Sequence, residues 1–187
     1  SAYARPAGRR GRLNTLVVIP ARAGSSRLPR KPLRLIAGRT LLHRTIAMAR
    51  AAIGARAGVM LVVATDDREI ADHASAAGCA AVMTDSAIAT GSGRALAAAL
   101  AQGDRPRLVV NLQGDSPFQP EGALGAVIAA LEGGAQVATP VIALDWPALD
   151  ALRDHKTRSP FSGTTGVRAP DGRALWFSKA IIPAIRG

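Results

Sequence analysis

Ile19-Pro20-Ala21-Arg22-Ala23-Gly24-Ser25-Ser26-Arg27-Leu28-Pro29-Arg30-Lys31-Pro32-Leu33 decides the fold. It follows an apolar run, Leu13 to Ile19, rich in Leu, Val and Ile with no polar alternation, which reads as a buried strand. The strand gives way to small and turn-forming residues that carry Arg22, Arg27, Arg30 and Lys31. In open α/β sheets, ligands bind in loops of this kind, at the carboxyl ends of the strands. Small residues such as Ala21 and Ala23 let backbone N–H groups approach a ligand, and the guanidinium and ammonium groups supply positive charge. A polyanion is the natural partner, a nucleoside triphosphate above all. A solvated basic loop fits the charge pattern alone equally well.

The bulk composition bounds the rest. A chain of 187 residues that is 48% hydrophobic can bury one sizeable core, so residues 13–187 are expected to form a single domain. The lone Cys79 has no partner, which excludes disulfides and Cys-based zinc sites and fits a reducing, cytoplasmic setting. No apolar run approaches the roughly 18–20 residues of a membrane span, so no membrane partner is expected. The net charge of +11 raises the question of nucleic acid. Four of the 24 basic residues, Arg5, Arg9, Arg10 and Arg12, lie in the opening stretch 1–12. That stretch lacks the apolar segment of a signal peptide and reads as a basic disordered extension or an expression remnant. With aromatics at 3% and no recognition-helix run or RNP-like motif, no specific nucleic-acid partner is expected.

Along the chain, strands and helices alternate. Apolar spacing predicts a helix over Thr40 to Ala52, a strand at Val59 to Ala64, and a helix from Arg68 to Ala77 introduced by Thr65-Asp66-Asp67. A short strand, Cys79 to Met83, precedes the Gly-rich turn Thr90-Gly91-Ser92-Gly93 and a helix from Arg94 to Ala101. A strand at Arg107 to Leu112 ends in Gln113-Gly114-Asp115-Ser116-Pro117. A helix at Glu121 to Leu131 and a strand at Gln136 to Ile142 follow; then Arg153 to Gly163 reads as a polar, mobile loop. Two extended runs around Pro170-Asp171-Gly172 predict a hairpin. The alternation implies a mostly parallel sheet with helices on both faces.

Three loops then share one sheet edge: Pro20 to Pro32, Thr90 to Arg94, and Gln113 to Pro117. Between them they hold cations for phosphates, a carboxylate for Mg²⁺ and backbone donors. Asp115 is the best metal candidate, although spacing alone favours a plain turn aspartate. His43, His73 and His155 lack metal-ligand spacing, and Ser25-Ser26 has no nearby base.

The wording of the motifs adds more. Ile19-Pro20-Ala21-Arg22, Ser26-Arg27-Leu28-Pro29 and Lys31-Pro32-Leu33 resemble the signature of the CMP-Kdo synthetases, the 3-deoxy-manno-octulosonate cytidylyltransferases. Val62-Val63-Ala64-Thr65-Asp66, Val110-Asn111-Leu112-Gln113-Gly114-Asp115-Ser116-Pro117 and Ala174-Leu175-Trp176-Phe177-Ser178-Lys179-Ala180 resemble further motifs of that family, in the same order. The resemblance implies a Rossmann-like nucleotidyltransferase that joins CTP to a sugar acid and releases pyrophosphate. It implies that Arg22, Arg27 and Lys31 hold the triphosphate, with Ala21, Ala23, Thr65, Gly91 and Arg94 also near the nucleotide. The resemblance further implies that Asp115 binds Mg²⁺ and that Gln113 and Lys179 face the sugar acid. Lys179 stands where the family has Arg, which turns a bidentate carboxylate grip into a point charge.

The family pattern has His, an acid, Glu and Lys at positions occupied here by Ile88, Gly93, Ala97 and Thr165. These departures leave room for another acid, such as a phosphonate or a nonulosonate, or for an inactive nucleotide-binding homologue. Family members also continue beyond position 187 with a second metal-binding Asp and much of a homodimer surface. The stretch 1–187 is therefore expected to be at best weakly active and the full-length product to be a homodimer. Deleting residues 1–12 should leave folding and CTP binding unchanged and lower retention on DNA, because the four arginines act there through salt-sensitive attraction to polyanions. Calorimetry with CTP and a DNA-binding assay at two salt concentrations check this; a lost CTP affinity would contradict it.

Overall fold

A computed structural model describes residues 14–24, 28–120 and 122–183. The basic extension 1–12, Ser25, Ser26 and Arg27 lie outside the described residues. Contacts between Cα atoms divide the chain into two compact units, up to Ala138 and from Thr139 onward. The sequence reading treats 13–187 as one domain, and the composition carries no mark of that division.

In the first unit, β1 (Thr15–Pro20) leads through a short 3₁₀ turn at Lys31–Leu33 to a small hairpin of β2 (Leu35–Ile36) and β3 (Arg39–Thr40). Then come α1 (Leu41–Ile53), β4 (Val59–Thr65), α2 (Arg68–Ala76), β5 (Ala80–Met83), α3 (Gly91–Leu100), β6 (Leu108–Asn111) and α4 (Ala123–Glu132). The main sheet has the order β5-β4-β1-β6 and every pairing in it is parallel. β1 is central: Val17 pairs with Leu61 on one side and with Val110 on the other. Its residues Leu16 to Ile19 are fully buried, as the unbroken apolar run requires.

Side chains on a strand alternate between faces, and this sheet uses both. Val17, Ile19 and Val63 pack with Leu42, Ile46, Ile70 and Ile128 from α1, α2 and α4. Leu16, Val18, Val62 and Ala64 meet Ala95, Ala98 and Ala99 of α3. The helices begin on side-chain caps: Thr40 Oγ1 accepts from His43 N, Asp67 Oδ1 from Ile70 N, and Thr90 Oγ1 from Gly93 N.

In the second unit, α5 (Trp146–Arg158) precedes an antiparallel hairpin of β7 (Thr165–Arg168) and β8 (Ala174–Ser178). The hairpin agrees with the sequence reading; two other expectations need correction. No strand forms over 136–142, where Pro140 cannot donate to a ladder and Val137, Val141 and Ile142 are exposed. Of the polar segment Arg153 to Gly163, residues 153–158 are helical and only 159–163 form a loop. Asp145 caps α5 by accepting from Ala148 N, Pro147 occupies its first turn, and His155, Lys156 and Arg158 favour its negative end. Lys156 Nζ also donates to the carbonyls of Ser162 and Lys179, so one ammonium ties the loop after α5 to the end of β8.

Cys79, at the entry to β5, is buried in the larger core cluster. Burial pushes its thiol from the usual 9.0 up to about 11, with the nearby Arg50 opposing the shift. The folded state thus holds the thiol proton more tightly than the unfolded chain does. This contribution to stability is intact below pH 9 and fades between pH 9 and about 11. Iodoacetamide at pH 8 should leave Cys79 unmodified in the native protein and alkylate it fully in denaturant, as mass spectrometry would show.

Candidate functional site

Parallel pairing puts the carboxyl ends of β1 and β6 side by side, with Val18 opposite Asn111. The loops leaving them meet at once. A Cβ on Gly114 would stand 2.9 Å from the Pro20 carbonyl oxygen, so the β6 loop reaches the end of β1 only because residue 114 has no side chain. Thr45, fully buried on α1, shares its single hydroxyl proton between Leu41 O at 3.0 Å and Gly114 O at 3.1 Å, which holds the same loop from below. The start of α3 comes equally close: a Cβ on Gly91 would lie 3.3 Å from Pro20 Cγ.

Between these loops lies an open cleft of about 260 Å³. Ala21, Arg22, Lys31, Gly91, Arg94, Gln113 and Asp115 all line it, so most of the residues singled out in the sequence come together here. Lys31 Nζ lies 2.6 Å from Asp115 Oδ2, joining the β1 loop to the β6 loop. The pair is partly exposed, so its worth is small and it can exchange partners readily. Among the described residues Asp115 is the only carboxylate in the lining, and the cleft is left with an excess of positive charge from Arg22. An anionic ligand fits that balance.

Other expected residues sit differently. Ala23 is not in the cleft lining; its carbonyl accepts from Arg30 N. Thr65 is fully buried, with Oγ1 accepting from Asp67 N and its carbonyl from Thr84 N, and it too is absent from the lining. Arg30 points its charge at α2, with Nη1 2.6 Å from Glu69 Oε2. Arg94 contributes to the cleft wall, yet its guanidinium is spent on Asp66, Thr84, Asp85 and Ile88. Lys179 belongs to the second unit, where Nζ donates to Thr164 Oγ1 at 2.8 Å. Arg27 lies outside the described residues. Sequence reasoning missed Leu41 in the lining and Thr45 beneath it. A threonine on the apolar face of α1 was the available signal for the last.

A parallel sheet covered by helices on both faces, with a cation-bearing cleft at the carboxyl ends of its strands, defines a Rossmann-like domain of the nucleotidyltransferase type. Residues 16–186 match the family model described as cytidylyltransferase, and the chain belongs to that family. It is 41% identical over 173 residues to a 3-deoxy-manno-octulosonate cytidylyltransferase of Maricaulis maris (strain MCS10), covering 91% of this chain and 66% of that protein. To the protein of the same name from Anaeromyxobacter sp. (strain K) it is 41% identical over 167 residues, covering 89% and 64%. The chain thus spans a little under two thirds of these relatives' own lengths. A solved structure of CMP:2-keto-3-deoxy-manno-octonic acid synthetase complexed with CTP superposes with a TM-score of 0.72 at 28% identity, over 92% of this chain and 67% of that one.

Replacing Gly114 by Ala should force the β6 loop away from Pro20, since the clash is with backbone rather than with a flexible side chain. We expect a stability loss of about 1–3 kcal/mol in urea unfolding together with weakened ligand binding in the cleft. Wild-type behaviour in both measurements would show that the loop contact is not a constraint.

Proposed function

We propose that the protein acts in transferring CMP from CTP to a sugar acid, 3-deoxy-manno-octulosonate or a related acid, with release of pyrophosphate. The observation that carries this reading is the meeting of Lys31 and Asp115 across the cleft, which puts a phosphate-binding cation and a metal-binding carboxylate on adjacent loops. The relatives named for this reaction and the superposable CTP complex support it.

Arg22 and Lys31 bind the triphosphate through charge-assisted hydrogen bonds, with Arg27 assigned to the same task from the motif. Gln113 and Lys179 are assigned to the sugar acid on the same basis, Lys179 as a single positive charge. The anomeric hydroxyl of the sugar attacks the α-phosphorus, and the bond to pyrophosphate breaks; the cationic loop offsets the charge that builds on the phosphate oxygens. The donor set fits Mg²⁺, which is commonly held by one or two carboxylates together with substrate phosphates and water. Asp115 is the residue that would hold it, and the bound ion would supply further neutralisation of phosphate charge. The reading also makes the protein cytoplasmic, in line with its single unpaired cysteine, and a homodimer when full length. Exposed Leu175, Trp176 and Phe177 on β8 support a covered surface there. Among the described residues no helix is long and apolar enough to cross a membrane.

Calorimetry tests the proposal. CTP with Mg²⁺ should bind in preference to ATP, and Lys31→Ala should weaken it about tenfold or more by removing one charge-assisted contact. Asp115→Asn should abolish the Mg²⁺-dependent part of binding. Without Mg²⁺ it should bind CTP at least as well as the wild type, because Lys31 is then released to the phosphates. Wild-type affinity in Lys31→Ala, or intact Mg²⁺ dependence in Asp115→Asn, would overturn the assignment. Pyrophosphate release with a panel of sugar acids identifies the acceptor.

A further inference from the structure

Arg94 is almost wholly buried, with 2% of its surface exposed, although it stands in the first turn of α3 at the wall of an open cleft. A guanidinium has five N–H donors, and four of these are matched to acceptors of the protein itself. Nη2 donates to Asp66 Oδ2 at 3.1 Å and to Ile88 O at 3.1 Å. Nη1 donates to Thr84 Oγ1 and, at 3.5 Å, to Asp85 O. These acceptors come from two separate places in the chain: Asp66 follows β4, whereas Thr84, Asp85 and Ile88 belong to the loop between β5 and α3. That loop continues as Ile88, Ala89 and Thr90, which form one wall of the cleft.

The rest of the wall agrees with this fastening. A Cβ on Gly93 would lie 3.1 Å from Ile88 Cγ2 and 3.0 Å from Thr90 Oγ1, so a side chain at 93 would press the wall outward. Thr90 is occupied in capping α3. The acidic turn that receives Arg94 serves the opposite wall too. Asp67, next to Asp66, caps α2, and Glu69 in its first turn pairs with Arg30, the neighbour of Lys31.

We infer that Arg94 is a positioning residue of the nucleotide cleft, not a ligand contact: its guanidinium fork fixes the Ile88–Thr90 wall to the β4–α2 turn and thereby sets the width of the cleft. The inference rests on the nucleotide reading for what the cleft holds, but the fastening itself is independent of it. A lysine at 94 could keep the charge facing Asp66, yet one ammonium cannot reproduce a planar fork that spans two loops.

The test combines hydrogen exchange, followed by mass spectrometry, with CTP titration in the presence of Mg²⁺, on wild type, Arg94→Lys and the double variant Asp66→Asn with Arg94→Met. The double variant removes both buried charges together, so that no unpaired ion is left inside and the fold is retained. Exchange over 84–90 should rise about tenfold or more in both variants while β1 and α1 stay protected, and CTP affinity should fall about tenfold. Exchange over 84–90 unchanged from wild type overturns the inference whether or not CTP binds. Faster exchange with CTP affinity within about twofold of wild type overturns it as well, since the wall would then be irrelevant to the ligand. Recovery of wild-type exchange and affinity in Arg94→Lys would show that charge alone suffices and would also overturn it. Faster exchange in the variants, with a wild-type protein that binds no CTP, upholds the fastening and refutes the nucleotide reading instead.

Discussion

The carbonyl of Pro20 and the backbone at Gly114 are packed so closely that no side chain can stand between them. The rest of the cleft depends on this approach. It lets the loop after β6 fold back against the end of β1, which brings Asp115 to Lys31. Thr45 then satisfies the Gly114 carbonyl from within the helix layer, so a backbone group in the loop is paired despite the tight packing. Sheet register lies behind both contacts: β6 ends level with the last turn of β1's pleat because Val18 faces Asn111.

Positive charge divides into two kinds here, and only tertiary structure separates them. Arg22 is exposed at the rim and Lys31 is held by a partly exposed acid that a ligand can displace. Arg30 and Arg94 are committed to acids on the β4–α2 segment. Asp66 keeps little exposure beside Arg94, and the guanidinium is further matched by Thr84, Asp85 and Ile88, so on the arginine side the pair does not rest on attraction alone. A count of arginines in the motif therefore overstates the charge offered to a ligand.

Much of the fold is legible in the chain because the determining signals are local. Runs such as Leu16 to Ile19 and Val62 to Ala64 leave no polar residue for solvent, and Thr40, Asp67 and Thr90 stand where helix caps are needed. Arg22, Lys31, Gln113 and Asp115 are legible as a site because each follows a strand of the main sheet directly or within one loop. The inward-facing bonding of Arg94 and Thr65 is not legible, since their partners are decided by which loops meet in space: Asp66 is 28 residues from Arg94 in the chain. The segment 136–142 shows the opposite failure. Its Val and Ile content favours a strand, but Pro140 interrupts the donors a strand needs. In α5 the cap at Asp145 outweighs a polar composition that otherwise reads as loop.

The layer beneath α3 is made of the methyl groups of Ala95, Ala98 and Ala99 lying on Leu16, Val18, Val62 and Ala64. Such a thin layer seats the helix close to the sheet, and that is why Gly91 reaches Pro20. Core volume and aperture are thus mechanically linked: the helix works as a wedge whose thickness is set by three of the smallest side chains. Enlarging any one of them would lift the helix start and part the two edges of the opening without altering a single residue that faces it. In this chain the size of the opening is therefore set partly from inside the hydrophobic core, by residues that never face it.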